Sequence, residues 1–385
     1  MIDRRLFLSG GSAAAALALS TGIPTIALAN AATDKRFVLI LQRGAADGLS
    51  TVAPVGDPDY QSLRGRLGEE SAGTRLDSFF MLHPALPRLA GLYAAHEALF
   101  VHAIASPYRE RSHFDGQNVL ETGGKAAYDL GDGWLNRLLG LLPAAERNAL
   151  ALSATVPMAL RGANPVASYA PSKLQDASDD LLSRVGLLYG SDPQLHALWE
   201  SAMRTRSAAG EVSDDDARNA AATGELAAKL LSAPQGPRIA LIGLGGWDTH
   251  ASQRGRLAAA LRGLDGMIAA LKSGLGQTWT RTVVVVATEF GRTARPNGTG
   301  GTDHGTGSVA MLLGGAVDGG KVVADWPGLS QASLYEGRDL KPTADLYAFI
   351  GSVVARHYGL DNAIAMRTLF PDSRSGAFGK LLLRA

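Results

Sequence analysis

The segment Thr282-Val283-Val284-Val285-Val286-Ala287 decides the fold class of this chain. Its valines follow one another without alternating polar residues, which is typical of a strand that other elements cover on both faces. Shorter apolar runs of the same kind occupy residues 37–41, 99–103, 239–242 and 309–313. We therefore expect five buried strands.

Helical patterns lie between these runs. The clearest extends from Arg256 to Leu275, where leucines recur at i, i+4 and i+7 and form a stripe suited to packing on a sheet. Weaker helical segments occupy residues 84–96 and 343–358. The alternation of strands and helices predicts an α/β fold, with a mostly parallel sheet sandwiched between helices.

The segment at about residues 176–232 has a different composition, rich in Ala, Asp, Ser and Arg. Its pattern is helical and contains few residues that suggest chemistry. It is either a helical insertion or cap on the domain, or a set of helices that simply cover the sheet.

The amino-terminal segment has the pattern of a bacterial export signal. Asp3-Arg4-Arg5-Leu6-Phe7-Leu8 precedes an alanine-rich apolar run, which ends in the small-residue sites Ala27-Leu28-Ala29 and Ala29-Asn30-Ala31. Paired arginines before such a run are typical of the twin-arginine pathway, and an ordinary secretory signal is the alternative. We expect residues 1–31 to engage the twin-arginine translocase and residues 32–385 to form a periplasmic or secreted domain.

Composition excludes several classes of protein. The chain has no cysteine, so thiolate zinc sites, iron–sulfur clusters and disulfides are ruled out, and any metal must bind His, Asp, Glu, Ser or Thr. The formal charge is +1 and basic residues form no block, which excludes nucleic acid as an expected partner. No second apolar stretch approaches the roughly 18 residues that a stable membrane span needs.

Polar residues gather in five loops beside the expected strands, where open α/β sheets form their ligand crevice. The loop after the first strand holds Arg43, which could bind an oxyanion, and Asp47, although an Asp-Gly turn with a surface arginine explains both. The loop after the second strand holds Ser112, which fits a helix N-cap or a hydroxyl nucleophile. His113 and Asp115 fall on different helix faces, and we favour His113 for the site.

The other three loops combine carboxylates with histidines or arginine. Asp248 and His250 share a glycine turn and could reach one ion, a geometry that zinc or manganese accepts. Glu289 could ligate a metal or pair with Arg292, which could hold an anion. A glycine-rich loop carries two adjacent ligand types, Asp303 and His304, although a flexible loop with an exposed histidine is the alternative.

Taken in order, these motifs resemble a known family. They are Leu-Gln-Arg-Gly-Ala-Ala-Asp-Gly-Leu-Ser (41–50), Arg-Ser-His-Phe-Asp (111–115), Gly-Gly-Trp-Asp-Thr-His (245–250), Thr-Glu-Phe-Gly-Arg-Thr (288–293) and Thr-Asp-His-Gly (302–305). With the export signal, they resemble the bacterial exported family of the domain of unknown function 1501. That family is usually placed in the alkaline phosphatase and sulfatase-like superfamily. The resemblance implies a three-layer α/β/α sandwich with a two-metal site at the strand ends.

The resemblance also implies roles for single residues. His304 matches the last histidine ligand of the superfamily, and Asp248 and His250 resemble a preceding Asp and His pair. Glu289 and Phe290 stand where the superfamily has an Asp ligand and a His ligand. The first-strand Asp-Gly of the superfamily, normally a metal ligand, has no exact match here, and Asp47 is displaced from the strand end. Ser112 is a candidate for the nucleophile position.

These observations support two main hypotheses and disfavour a third. The first is a metal-dependent hydrolase of phosphate or sulfate esters, acting on a small-molecule or glycan ester. Zinc, manganese, calcium or magnesium would bind Asp248, His250, Asp303 and His304, with Glu289 and Asp47 as further ligands. Ser112 would be the nucleophile, and Arg43 and Arg292 would hold the oxyanion, with His113 beside them.

The second hypothesis is a non-catalytic exported binding or assembly protein that keeps this fold. The replacements at Glu289 and Phe290 motivate it. A third, an oxidoreductase, is disfavoured because no Gly-x-Gly-x-x-Gly follows the first strand.

Overall fold

The structure is a computed structural model, and it describes residues 34–68, 73–170, 179–190, 192–209, 220–373, 378 and 382–384. The expected export signal at residues 1–31 lies outside these ranges. Among the described helices, none has the length and apolar character that crossing a bilayer requires.

A nine-stranded sheet forms the centre of the described part of the chain, beside a small sheet of three strands. Numbered along the chain, the strands are β1 (Arg36–Gln42), β2 (Val52–Ala53), β3 (Thr74–Arg75), β4 (Met81–Leu82), β5 (Ala98–Ala105), β6 (Ala149–Leu152), β7 (Ala167–Ser168), β8 (Ile239–Leu244), β9 (Thr282–Ala287), β10 (Ser308–Leu313), β11 (Lys321–Val323) and β12 (Ala344–Asp345). The large sheet has the order β11-β5-β10-β9-β1-β8-β6-β7, with β12 paired to β5, and the small sheet has the order β2-β4-β3.

Strand direction places five loops at one edge of the large sheet. Strand β1 lies between β8 and β9 and is parallel to both, with Leu39 beside Leu241 and Val285. Strand β10 is antiparallel to β9 and to β5. The amino end of β10 therefore lies at the same edge as the carboxyl ends of β1, β5, β8 and β9.

Helices cover both faces of this sheet. They are α1 (Gly48–Thr51), α2 (Tyr60–Arg64), α3 (Pro87–Ala94), α4 (His113–Thr122), α5 (Trp134–Leu141), α6 (Asp179–Tyr189), α7 (Pro193–Ala209), α8 (Ala220–Ser232), α9 (Gln253–Leu275), α10 (Leu346–Tyr358) and α11 (Asn362–Leu369). Short 3₁₀ turns occur at Gly65–Gly68, Ala144–Glu146, Met158–Leu160 and Gly276–Arg281. The described elements thus form three layers.

The alternation of side chains along β1 shows why both faces are apolar. Phe37 and Leu39 enter the core that contains α5, α10 and α11, whereas Val38 and Ile40 enter the core that contains α3, α8 and α9. Each of these four side chains is at most 1% exposed. The predicted α/β class, with a mostly parallel sheet between helices, is confirmed, and the predicted helix at 256–275 is present as α9.

The segment at about residues 176–232 contains two kinds of helix where it is described. Leu226, Leu230 and Leu231 of α8 are buried against the sheet or against α9. Leu187 and Leu188 of α6 are 81% and 72% exposed. Helix α8 therefore belongs to the covering layer, whereas α6 leaves an apolar surface uncovered by the described residues.

Candidate metal centre

Backbone packing holds the loops at the sheet edge in fixed positions. Gly44 follows β1 with φ of +120°, and a Cβ there would lie 2.6 Å from the backbone N of Asp248. The loops after β1 and β8 therefore meet where only glycine fits. Arg292 and His304 form an antiparallel bridge, which fixes the loop after β9 against the segment that precedes β10.

His113 is the first residue of α4 and points into this edge. Its Nδ1–H donates to Oε1 of Glu289 at 2.8 Å, because a carboxylate can only accept. The other ring nitrogen, Nε2, is buried without a hydrogen-bond partner and lies 3.5 Å from Oδ2 of Asp248. The hydrogen bond to Glu289 raises the pKa of His113 above its usual value. This Nε2 faces Asp248 and can bind a metal ion once it has lost its proton.

His304 has the same arrangement on the opposite side. Its Nδ1–H donates to the backbone carbonyl of Arg111 at 2.9 Å, which leaves Nε2 without a proton. That Nε2 lies 3.3 Å from Oδ1 of Asp248. Burial lowers the pKa of His304, which favours the neutral imidazole that metals bind.

His250 brings a third imidazole to the cluster. Its Nδ1 is 3.1 Å from Oδ1 of Asp303, which orients the ring, and its Nε2 is 3.0 Å from Oδ1 of Asp248. Asn297 donates to the same Asp303 oxygen at 3.1 Å. The structure therefore places Asp303 behind His250, where it contacts the far nitrogen of the ring.

Asp248 lies between the three imidazoles and is oriented by Arg292. The Arg292 Nη1 donates to Oδ1 of Asp248 at 2.6 Å, and the Arg292 side chain is completely buried. Burial would raise the pKa of Asp248, but the Arg292 guanidinium more than offsets this and holds it below its usual value. The carboxylate is therefore ionised.

The arrangement of nitrogens fits a bound cation. Nε2 of His250 lies 2.9 Å from Nε2 of His304. In the neutral tautomers that donate through Nδ1 to those oxygen acceptors, the two Nε2 lone pairs face each other, and a cation or a shared proton between them removes the repulsion. His113, Asp248 and His304 offer ligand atoms within 4.8 Å of one another. Backbone or carboxylate oxygens on the far nitrogen are typical of metal-binding histidines.

Glu289 has its oxygens occupied by protein donors. The Oε1 atom accepts from Nδ1 of His113 and from the backbone N of Gly44, both at 2.8 Å, and from Gln117 at 3.2 Å. Oε2 lies 3.1 Å from the Thr288 hydroxyl, whose single proton also faces the Gln42 carbonyl at 2.8 Å. Burial raises the pKa of Glu289, but these hydrogen bonds, that of His113 foremost, bring it below its usual value. The structure places Glu289 behind His113.

The predicted nucleophile and oxyanion-binding residues lie around the cluster. Ser112 is half-buried at the N-cap of α4, and its side chain makes no capping hydrogen bond. Arg43 pairs with Glu121 at 2.7 Å and donates to Gln117 at 2.7 Å. Both predicted oxyanion-binding arginines, Arg43 and Arg292, thus have carboxylate partners within the protein.

Asp47 lies in a separate buried network. It accepts from Arg64, Gln253 and the backbone N of Ser50, and it is 2% exposed. Burial opposes its ionisation, but the Arg64 guanidinium brings the pKa of Asp47 below its usual value. Among the described residues, neither oxygen of Asp47 contacts the histidine cluster.

Four polar residues that were not among the predicted site residues hold the side chains of the site in place. Gln117 and Asn297 orient Glu289 and Asp303, and Gln253 and Thr302 connect Arg292 to Asp47. Gln117 carries a detectable signal, because it stands four residues after His113 and thus on the same helix face. Asn297 stands in a Pro-Asn-Gly segment that reads as a turn.

Fold and site together define an α/β protein with a histidine–carboxylate centre at the carboxyl edge of its sheet. A family model described as "Protein of unknown function (DUF1501)" matches residues 96–369. The chain belongs to that family. No curated protein gives a significant match to the chain.

Solved structures give distant likenesses. A putative sulfatase from Bacteroides thetaiotaomicron has 10% identity and a TM-score of 0.41, over 90% of this chain and 76% of its own. The zinc complex of the periplasmic domain of EcEptC from Escherichia coli has 11% identity and a TM-score of 0.36, over 73% of each chain. The lipoteichoic acid synthase LtaP from Listeria monocytogenes has 11% identity and a TM-score of 0.35, over 77% of this chain and 68% of its own.

Proposed function

We propose that this chain is an exported, metal-dependent hydrolase of phosphate or sulfate esters that uses one divalent ion. The ion is held by Nε2 of His113, His250 and His304 and by the carboxylate of Asp248. The observation that carries the proposal is the orientation of the three rings, whose Nδ1 atoms all face oxygen acceptors while their Nε2 atoms converge on Asp248.

The donor set favours zinc, with manganese next. Imidazole nitrogens suit zinc, whereas calcium and magnesium prefer sites built from oxygen. A second ion would need Glu289 or Asp47, but Oε1 of Glu289 and Oδ2 of Asp47 each already accept hydrogen bonds from two protein donors. We therefore propose one ion, with Glu289 and Asp303 as the groups that orient its histidines.

The ion would act as a Lewis acid that polarises an ester oxygen. The chain supplies the remaining elements. Ser112 offers a half-buried hydroxyl immediately before His113, at the N-terminus of a ten-residue helix, where developing negative charge is stabilised. We assign Ser112 as the nucleophile. Arg292 orients Asp248. Because its guanidinium already donates to Asp248 and Thr302, Arg292 does not bind substrate.

One observation favours the second candidate, an exported binding or assembly protein. A hydrolase needs cationic groups around the transferred phosphoryl or sulfuryl oxygens. Arg43 and Arg292 are both neutralised by carboxylates of the protein, Glu121 and Asp248. The binding protein would use the metal centre for structure or recognition.

Activity measurements separate the two candidates. Protein purified with its metal is tested against aryl phosphate and aryl sulfate esters, together with Ser112→Ala and Ser352→Ala as matched variants. Ester turnover that Ser112→Ala abolishes and Ser352→Ala leaves unchanged supports the hydrolase. No turnover by metal-loaded protein supports the binding protein. Export by the twin-arginine route is tested by Arg4→Lys/Arg5→Lys, which should retain the precursor in the cytoplasm.

A further inference from the structure

A buried chain of polar side chains runs from the metal centre to Asp47. It begins at Arg292, whose Nη1 holds Asp248. The other side of the same guanidinium is bound to Thr302, with Nε donating to Oγ1 at 3.1 Å and Nη2 donating to the backbone carbonyl. Thr302 therefore determines which way the Arg292 fork faces.

Gln253 is the next member of the chain. Because the Thr302 hydroxyl oxygen accepts from Arg292, its proton is free to donate, and it does so to Oε1 of Gln253 at 2.5 Å. Thr249 donates to the same oxygen at 2.8 Å. Gln253 and both threonines are completely buried. The amide oxygen of Gln253 thus accepts hydrogen bonds from two hydroxyl groups that have no access to water.

The amide nitrogen of Gln253 donates to Asp47, which closes the network. Asp47 is held in turn by Arg64, which is also completely buried. Arg64 donates to the carbonyls of Thr293 and Ala294, at 3.3 Å and 3.1 Å, in the segment that directly follows Arg292. Both ends of the network therefore act on the loop that carries Arg292.

We propose that Gln253 is a positioning residue of the metal centre: through Thr302 and Arg292 it fixes the carboxylate of Asp248 as a ligand, with Asp47 as its anchor. This inference rests on the proposed function for the metal itself. Under this proposal, Asp47 of the Asp47-Gly48 motif helps to orient Asp248 through Gln253. Buried polar groups lose several hydrogen bonds together when one member of such a network is removed.

The expected change in metal affinity follows from the known contribution of groups that hydrogen-bond to metal ligands. Loss of a group that orients a ligand typically weakens metal affinity by about 10- to 100-fold. Gln253→Met keeps the length of the side chain and removes both hydrogen-bonding ends. Thr302→Val keeps the shape of the side chain and removes the hydroxyl, whereas Thr302→Ser retains the hydroxyl.

Asn136 provides a matched control far from the centre. It is a 2% exposed amide that bonds the carbonyls of Leu160 and Asn164, both at 2.8 Å. Asn136→Leu removes buried hydrogen bonds without touching the network. Any change in metal affinity in Asn136→Leu measures the effect of losing buried hydrogen bonds elsewhere in the fold.

The experiment measures zinc affinity of the full chain by competition with a chelator, and the side-chain Nε–H signal of Arg292 in arginine-labelled protein by NMR. We expect Gln253→Met and Thr302→Val to weaken zinc binding by about 10- to 100-fold, with Thr302→Ser close to wild type and Asn136→Leu unchanged. Unchanged zinc affinity in Gln253→Met and Thr302→Val, or equal weakening in Asn136→Leu, overturns the proposal.

The NMR signal separates this inference from the metal proposal. Wild-type protein that binds no zinc contradicts the proposed function. The Arg292 signal still decides the positioning role, because it needs no metal. Its loss or shift in both Gln253→Met and Thr302→Val, with a wild-type signal in Thr302→Ser, supports the role, and its constancy in Gln253→Met overturns it.

Discussion

Nδ1 of His113 donates to Oε1 of Glu289 at 2.8 Å, and this contact turns the unpartnered Nε2 of His113 toward Asp248. Glu289→Gln keeps an acceptor but removes the charge that orients the ring and makes its nitrogen basic. We predict zinc affinity weakened by about 10- to 100-fold, measured by chelator competition. Glu97→Gln, which changes a carboxylate bound to Lys272 and Trp279, is the control. Equal affinity in Glu289→Gln and wild type would contradict the assignment.

His304 tests the ligand set directly. His304→Ala removes an Nε2 that faces both His250 and Asp248. We predict loss of stoichiometric metal and of any ester turnover, measured by elemental analysis and by assay. His196→Ala is the matched variant, because His196 is a surface residue paired with Glu200. Full metal occupancy in His304→Ala would remove His304 from the ligand set.

Gly44 tests whether the contact between the loops after β1 and β8 supports the site. Gly44→Ala places a Cβ 2.6 Å from the backbone N of Asp248 at a φ of +120°. We predict destabilisation of about 1–3 kcal/mol from the strained backbone alone, together with weaker metal binding. Gly245→Ala meets nothing within 4 Å and should leave both unchanged. Thermal unfolding and metal content check the pair, and identical behaviour of the two variants would refute the contact's role.

We predict that protonation of the buried His102 destabilises the fold in acid. Its Nε2–H donates to the carbonyl of Val52, and its Nδ1 accepts from the backbone N–H of Ala103, both at 2.8 Å, so a second proton has no place. Burial lowers its pKa to about 4. Because the folded pKa lies below the unfolded value of about 6.5, stability is complete above that pH and falls as pH drops toward 4.

The expected loss from His102 between pH 7 and pH 5 is about 2 kcal/mol. Burial also lowers the pKa of His357, to about 3, so that residue adds a similar increment. His102→Gln should therefore reduce the loss of unfolding free energy between pH 7 and pH 5 by about 2 kcal/mol. Urea unfolding at the two pH values measures it. An unchanged slope in His102→Gln would show that His102 is not the titrating group.

Local pattern was sufficient to predict the sheet and its edge. The β-branched run at 282–287 forms β9 at the centre of the sheet, with its four valines at 0% exposure. Once the strands are parallel, the loops that follow them must meet at one edge, so the polar residues after β1, β5, β8 and β9 gather there. The antiparallel direction of β10 brings His304 to the same edge, because His304 precedes its strand.

The proposed division of the carboxylates into a metal ligand and groups that orient histidines could not be predicted from sequence. Asp47 faces Gln253, 206 residues away, and Glu289 faces His113, 176 residues away. Such pairings depend on which buried donors the fold brings to each oxygen, and no local spacing encodes them. His113 has a recognisable sequence context at the start of α4, but its role as a proposed ligand follows only from its unpartnered Nε2.

The measurement that tests the central claim most directly is elemental analysis of the folded protein, purified without chelators. We predict one divalent ion per chain, with zinc preferred, and its loss in both His113→Ala and His304→Ala. Absence of bound metal, with none retained after zinc or manganese is added back, would contradict it, as would two ions per chain.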